Sequence, residues 1–195
     1  MPRVHEIQHA RKDYPESSIK KGDHYYKWSI KTGPATGIVY RSKTYPKPSQ
    51  LTNSPFMSEL LSIQEEIEGL TVADFQTAED LSSSLDEIVS RIEALKDETQ
   101  GSLDNMPESL QQGDVGQMIQ ARIDGLDSWV SDLQGIDLNF SFDEEEPVDP
   151  GESDPAATSL WEGLHDAWET KKSEAEAEFI ANAIEEIQGM EANVE

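Results

Sequence analysis

The sequence predicts an α+β chain that is mainly α: a small basic β-hairpin subdomain, an acidic antiparallel helical bundle or coiled coil, and a long C-terminal helix. Three observations carry that expectation. Residues 1–50 hold ten Lys and Arg against four Asp and Glu, a net +6, whereas the other 5 bases and 36 acids give residues 51–195 a net −31. Between residues 23 and 31 side-chain character alternates with period two, as in a strand. After residue 54 apolar residues recur at spacings of three and four, the period of an amphipathic helix.

Each element follows from its own residues. Asp23–Lys31 places His24, Tyr26, Trp28 and Ile30 on one side and Tyr25, Lys27, Ser29 and Lys31 on the other. Thr32–Gly37 supplies a turn and Ile38–Tyr45 returns as the partner strand. A lone hairpin is marginal in water, so this unit must pack on something else. Lys47-Pro48-Ser49-Gln50 ends the basic part (1–50), because its prolines suit neither a helix nor a central strand.

The acidic bundle is expected over 51–140. Phe56, Leu60, Ile63, Ile67 and Leu70 form one apolar seam, and Leu81, Leu85, Ile88, Ile92 and Leu95 form a second with the same spacings. Pro55 suits a first helical position after Asn53-Ser54, and Thr71-Val72-Ala73-Asp74 has the form of a capping box. Asn105-Met106-Pro107 ends the second helix, Gly113 closes a short turn, and Val115, Ile119, Ile123, Leu126, Val130 and Leu133 stripe a third. Residues 141–157 carry seven acids and three prolines, the composition of a disordered, solvated linker. Thr158 or Ser159 then caps a last amphipathic helix (158–195) with Trp161, Leu164, Trp168, Ala175, Phe179, Ala183, Ile187 and Met190 on one side.

Composition narrows function. Hydrophobic residues make up 35% of the chain, below the roughly 45–50% of an ordinary globular protein, so the core is thin. The absence of cysteine excludes disulfides, thiolate metal sites and Cys nucleophiles. A net −25 excludes gripping polyphosphates by bulk attraction, and no apolar run reaches the roughly 18 residues of a membrane span. No secretory signal pattern opens the sequence.

Several strings touch chemical motifs without completing them. His5-Glu6-Ile7-Gln8-His9 fits H-E-x-x-H, which on a helix would put two imidazoles on one face, yet neither a preceding sheet nor a third ligand accompanies it. Glu162 and His165 match half of a di-iron carboxylate pair, and a full site needs a second copy. Asp149, Gly151, Ser153 and Asp154 resemble a calcium loop whose Gly and Glu positions are wrong. Gly33 and Gly37 belong to a turn and not to a phosphate loop. The expectation is therefore no enzyme, no metal and no cofactor.

Two surfaces remain. Glu65, Glu66, Glu68, Asp86, Glu87 and Glu93, with Glu169, Glu174, Glu176, Glu178, Glu185 and Glu186 on the last helix, fall off the apolar seams and make an acidic face. Carboxylates ranged along a rigid helix can occupy the basic cleft of a nucleic-acid-binding protein. Tyr25, Lys27, Trp28, Lys31, Arg41 and Lys43 make the opposite kind of surface, aromatic and basic, of the type that stacks on bases and neutralises phosphates. The same aromatics would equally serve as the core of a small sheet, and the basic patch could dock on the chain's own acidic helices. Trp161, Trp168 and Phe179 after a flexible linker point to association of the last helix with a partner or a second copy.

The strings Ala10-Arg11-Lys12-Asp13-Tyr14-Pro15, Ile19-Lys20-Lys21-Gly22-Asp23, Tyr25-Tyr26-Lys27-Trp28, Lys47-Pro48-Ser49-Gln50-Leu51-Thr52 and Asp104–Asp114 resemble a group of uncharacterised tailed-bacteriophage proteins over roughly residues 9–140. Residues 19–28 also look like the opening of a treble-clef zinc module, although every cysteine of such a module is missing. The phage resemblance implies a product acting in the cytoplasm of a bacterial host and imports no activity. Together these lead to an expected function: an acidic inhibitor that occupies a basic nucleic-acid-binding surface of a host protein, in an anti-restriction, anti-CRISPR or host-takeover role. Alternatives are a nucleic-acid-binding accessory protein that uses the basic hairpin, and a virion or assembly component.

Overall fold

The N-terminal sheet starts from the alternation in Tyr25–Ser29, which forms the central strand β2 of three. A computed structural model describes residues 2–30, 37–149, 151, 155–192 and 194. β2 pairs antiparallel with β3 (Val39–Ser42) and with a short edge strand, β1 (His5–Ile7), that has too few residues to show a pattern in sequence. Register sets Ile7 opposite Tyr25, Glu6 opposite Tyr26, Lys27 opposite Arg41 and Trp28 opposite Tyr40. Both strands of the expected hairpin are present and shorter, and residues 32–36 of its expected turn lie outside the described residues. The H-E-x-x-H string lies across β1, so it lacks the helical turn that would bring its imidazoles together; Glu6 instead meets the His24 ring at 3.0 Å.

Between β1 and β2 the chain folds back through a 3-10 turn at Pro15–Ser17. Gly22, at φ +96°, adopts a conformation open to glycine at little cost, and its N–H donates to the Ala10 carbonyl while Ala10 N–H donates to Asp23. This return seats Ala10, Ile19 and Tyr25 as a small core on one side of the sheet. The other side presents Trp28 toward the helices.

Five helices follow among the described residues: α1 (Pro55–Glu68), α2 (Ala78–Asp104), α3 (Glu108–Gln111), α4 (Asp114–Gln134) and α5 (Pro155–Gln188). Ser54 caps α1 by accepting Met57 N–H, with Pro55 at the first position as the sequence indicates. The Thr71–Asp74 box caps a 3-10 turn, and α2 is started by a second box, Thr77 with Asp80. Both seams are inside: Leu60, Ile63 and Ile67 of α1 and Leu81, Leu85, Ile88, Ile92 and Leu95 of α2 are buried, joined by Leu126, Trp129, Val130 and Leu133 of α4. Each such Leu or Ile contributes roughly 1.5–3 kcal/mol on burial.

The α4 stripe departs from expectation at its start, where Val115 is half exposed. The cause is the corner with α3. A Cβ on Gly116 would lie 1.9 Å from the Gln111 carbonyl, so α3 occupies the inner face of this turn and Val115 faces out. The Gln111 amide also donates to the Leu103 and Met106 carbonyls, closing the end of α2. Between helices, Arg91 of α2 binds Glu59 at 2.7 Å and pairs with Glu66, both on α1, and Lys96 binds Asp127 of α4 at 2.8 Å.

The largest difference from expectation concerns residues 136–149. The stretch expected as free linker lies, over 141–149, as a strap running antiparallel along α5. Phe140 meets Phe179 at 5.6 Å, Phe142 packs edge-on to Trp168 at 5.6 Å, and the Glu144 and Pro147 carbonyls accept the indole N–H groups of Trp168 and Trp161. Acid content hid the apolar anchor Phe142 and the two carbonyls that the tryptophans require. The helix itself begins at Pro155, earlier than Thr158, consistent with the preference of proline for a first turn. At 34 residues α5 is about 51 Å long. Ile180, Ala183, Ile184 and Ile187 near its C-terminus join the bundle core, and the Gln188 amide donates to the Ile67, Glu68 and Leu70 carbonyls at the end of α1.

Candidate partner-binding surface

Folding divides the acidic residues into those the structure uses and those it presents. Glu65, expected on the acidic face, has only 13% of its side chain exposed and accepts both the Ser49 N–H at 2.9 Å and the Ser49 hydroxyl at 2.8 Å. It ties the sheet subdomain to α1. Glu66 is taken by Arg91. Glu176 accepts the Ala78 N–H at 2.9 Å, placing a carboxylate from α5 at the N-terminus of α2, where the helix dipole favours negative charge. These three belong to the scaffold.

The remainder stay outside. Glu68, Asp86, Glu87, Glu93, Glu169, Glu174, Glu178, Glu185 and Glu186 are exposed. Asp86 and Glu93 are seven residues apart and share a line on α2; Glu174, Glu178 and Glu185 share one on α5. The strap adds a further row: Asp143, Glu144, Glu145, Glu146 and Asp149. Within it Glu144 binds Lys171 at 3.0 Å and Glu146 lies 3.3 Å from His165, which stands between the rings of Trp161 and Trp168. Trp161, Trp168 and Phe179, expected to hold a partner or a second copy, are thus engaged by the chain's own strap.

The basic surface is also reorganised. Tyr25 is buried, packed at 5.7 Å on Tyr14. Trp28 is buried, stacked at 5.7 Å on Tyr40 with its indole N–H donating to the Gln50 carbonyl at 3.1 Å. Neither can stack on a base; they are the core of a small sheet. Lys43 pairs with Asp23 at 3.0 Å, and the Lys20 N–H and Lys43 together hold the Asp23 carboxyl below its usual range. The Arg41 guanidinium lies over the Tyr14 ring at 4.3 Å, with the Lys12 ammonium 5.5 Å from the same ring. A hydrogen bond from Tyr25, then the charges of Arg41 and Lys12, lower the Tyr14 hydroxyl, whereas burial raises that of Tyr25. Lys27 is half-buried beside Arg41, and the Lys31 position lies outside the described residues. Tyr45, interleaved in sequence with the basic residues of this patch, is 62% exposed and stays open to solvent.

Among the described residues no cluster of three or more His, Asp or Glu is arranged to hold a metal, and no helix is long and apolar enough to cross a membrane. A cleft of about 400 Å³ lies between the sheet and α1, lined by Trp28, Ile30, Tyr40, Gln50 and Ser58. Compared with protein-family models, curated proteins and solved structures, the chain matches none.

Proposed function

We propose that the chain is a phage-encoded acidic inhibitor that occupies a basic nucleic-acid-binding surface of a host protein in the bacterial cytoplasm. The observation that carries this reading is the pairing of the strap with α5, which lays the strap's carboxylates along residues 161–171, with Glu174, Glu178 and Glu185 following on the same helix. Eight acids and two lysines on α5 with five strap acids give a net −11 over about 50 Å, or roughly one charge per 4.5 Å. Duplex DNA carries about one per 1.7 Å and a single strand about one per 3.4 Å, so the rod approaches the field of a single strand. Such a field speeds encounter with a basic cleft and is screened by salt.

Each exposed carboxylate is worth at most about 1 kcal/mol, so binding is expected to respond to groups of substitutions more than to single ones. The test is capture of host proteins on the immobilised full chain. A basic nucleic-acid-binding protein should be retained, released by raised salt or competing duplex DNA, and retained less by the Glu174→Gln, Glu178→Gln, Glu185→Gln triple variant. If the chain instead shifts DNA or RNA at physiological salt and Lys27→Ala with Arg41→Ala abolishes the shift, it is a nucleic-acid-binding accessory protein. Recovery in many copies per virion would make it a structural component.

A further inference from the structure

Resting on that reading, the N-terminal half of α5 carries a feature that charge alone does not explain. Leu160 and Leu164 are 67% and 53% exposed and one helical turn apart, so they share a face. Ala167 continues the same line and is exposed, and the line then runs through Lys171 to Glu174 and Glu178. The strap does not cover this face, because it lies on the neighbouring stripe of Trp161 and Trp168. Single exposed leucines are ordinary, but here an apolar line lies on a helix braced by two bound indoles and flanked by carboxylates.

The charge decides the occupant. Residues 141–175 hold eleven acids against two lysines, a net −9. A second copy would bring a further −9 to the same place, which disfavours pairing of like surfaces. We infer that Leu160 and Leu164 form the apolar centre of a docking surface for a basic, amphipathic protein segment, with the surrounding carboxylates as its rim. Interfaces draw most of their affinity from such a desolvated centre, and rim charges mainly set the rate of encounter.

The experiment uses the full chain and two labelled peptides of equal positive charge, one an amphipathic Leu/Lys helix and the other oligolysine, followed by fluorescence anisotropy at about 150 mM salt. The Leu/Lys peptide should bind roughly tenfold more tightly. Leu160→Ser with Leu164→Ser should reduce it to the oligolysine level while leaving oligolysine binding and the melting temperature unchanged. Leu110→Ser with Val115→Ser, at a second exposed apolar pair, should change neither peptide. Equal binding of the two peptides, or full Leu/Lys binding by the Leu160/Leu164 variant, overturns the docking surface and leaves the acidic inhibitor standing. Failure of both peptides to bind removes the inhibitor reading as well. A wild-type dimer in sedimentation that the Leu160/Leu164 variant dissolves would identify a second copy as the occupant and overturn the inference.

Discussion

Glu176 gives the sharpest test of how folding sorts the acidic residues. Its carboxylate, half-buried, accepts the N–H of Ala78, the first residue of α2, at 2.9 Å. Glu176→Ala removes a hydrogen bond to a charged group, worth about 1.5–3 kcal/mol net. It also removes a negative charge from a helix N-terminus, where such charges contribute about 0.3–1 kcal/mol. The two descriptions overlap, and water can reach part of the vacated space, so a loss of about 1–2 kcal/mol is expected, or roughly 2–8 °C in melting temperature for a chain of this size. Glu176→Gln keeps an acceptor and should lose about half as much. Glu178→Ala, two residues on and fully outside, should stay within about 0.5 kcal/mol of the parent. Urea unfolding followed by circular dichroism at the helical band reads all three, with the midpoint moving and the slope constant. If Glu176→Ala and Glu178→Ala unfold together, the contact between α5 and the start of α2 is not formed in solution, and Glu176 returns to the acidic face.

Three further outcomes follow from other contacts. Gly116→Ala would set a Cβ 1.9 Å from the Gln111 carbonyl, a backbone atom that cannot swing aside, so opening the α3–α4 corner should cost about 1–3 kcal/mol by thermal melting. Lys96 is raised above its ordinary 10.5, first by the Asp127 hydrogen bond. Its folded value therefore exceeds the unfolded one, and the pair's contribution is complete below pH 10.5 and lost as pH rises beyond; Lys96→Met should abolish that part of the alkaline loss in denaturation at stepped pH. Trp168→Ala removes the indole that holds Glu144 and Phe142, so limited proteolysis within 141–149 should quicken while α2 resists cleavage as before.

How far these features could be read in the sequence depended on whether the signal was local. The α1 and α2 seams, the Ser54 and Pro55 start and the break at Asn105-Met106-Pro107 are local patterns, and the structure places them where the spacing does. β1 was invisible because three residues cannot display alternation and its partner lies some twenty residues away. Trp129 is buried as well, because residues 126, 129 and 133 keep the same spacings of three and four as 126, 130 and 133, and both lines face the core. The strap was misread for a different reason. Its acids face water while Phe140, Phe142 and two main-chain carbonyls serve α5, and composition averages the two. Of the candidate acids, Glu65, Glu66 and Glu176 were lost to the scaffold through partners distant in sequence, which helical spacing alone does not reveal.

The charge split along the chain survives folding, and the way it survives bears on function. Were bulk attraction the cause of docking between the sheet and the bundle, the joint would bring cations onto carboxylates. It is built instead from Trp28 on Gln50, Ser49 on Glu65 and the Ser58 hydroxyl on the Ser49 carbonyl. Among the described residues Lys47, 4.0 Å from Glu65, is the cation this joint brings near an acid. Lys12 and Arg41 are spent on Tyr14, and Lys43 on Asp23 within the same subdomain. The bundle's negative field is therefore left uncancelled by the part of the chain best able to cancel it. An uncancelled field of one sign costs stability through self-repulsion and is useful where encounter must be fast. Speed of encounter leaves complex lifetime to be set by short-range contacts, and among mutants of one interface most affinity differences arise in dissociation. In the proposed complex the exposed carboxylates of α2 and α5 would set how quickly a basic partner arrives, and Leu160 and Leu164 would set how long it stays.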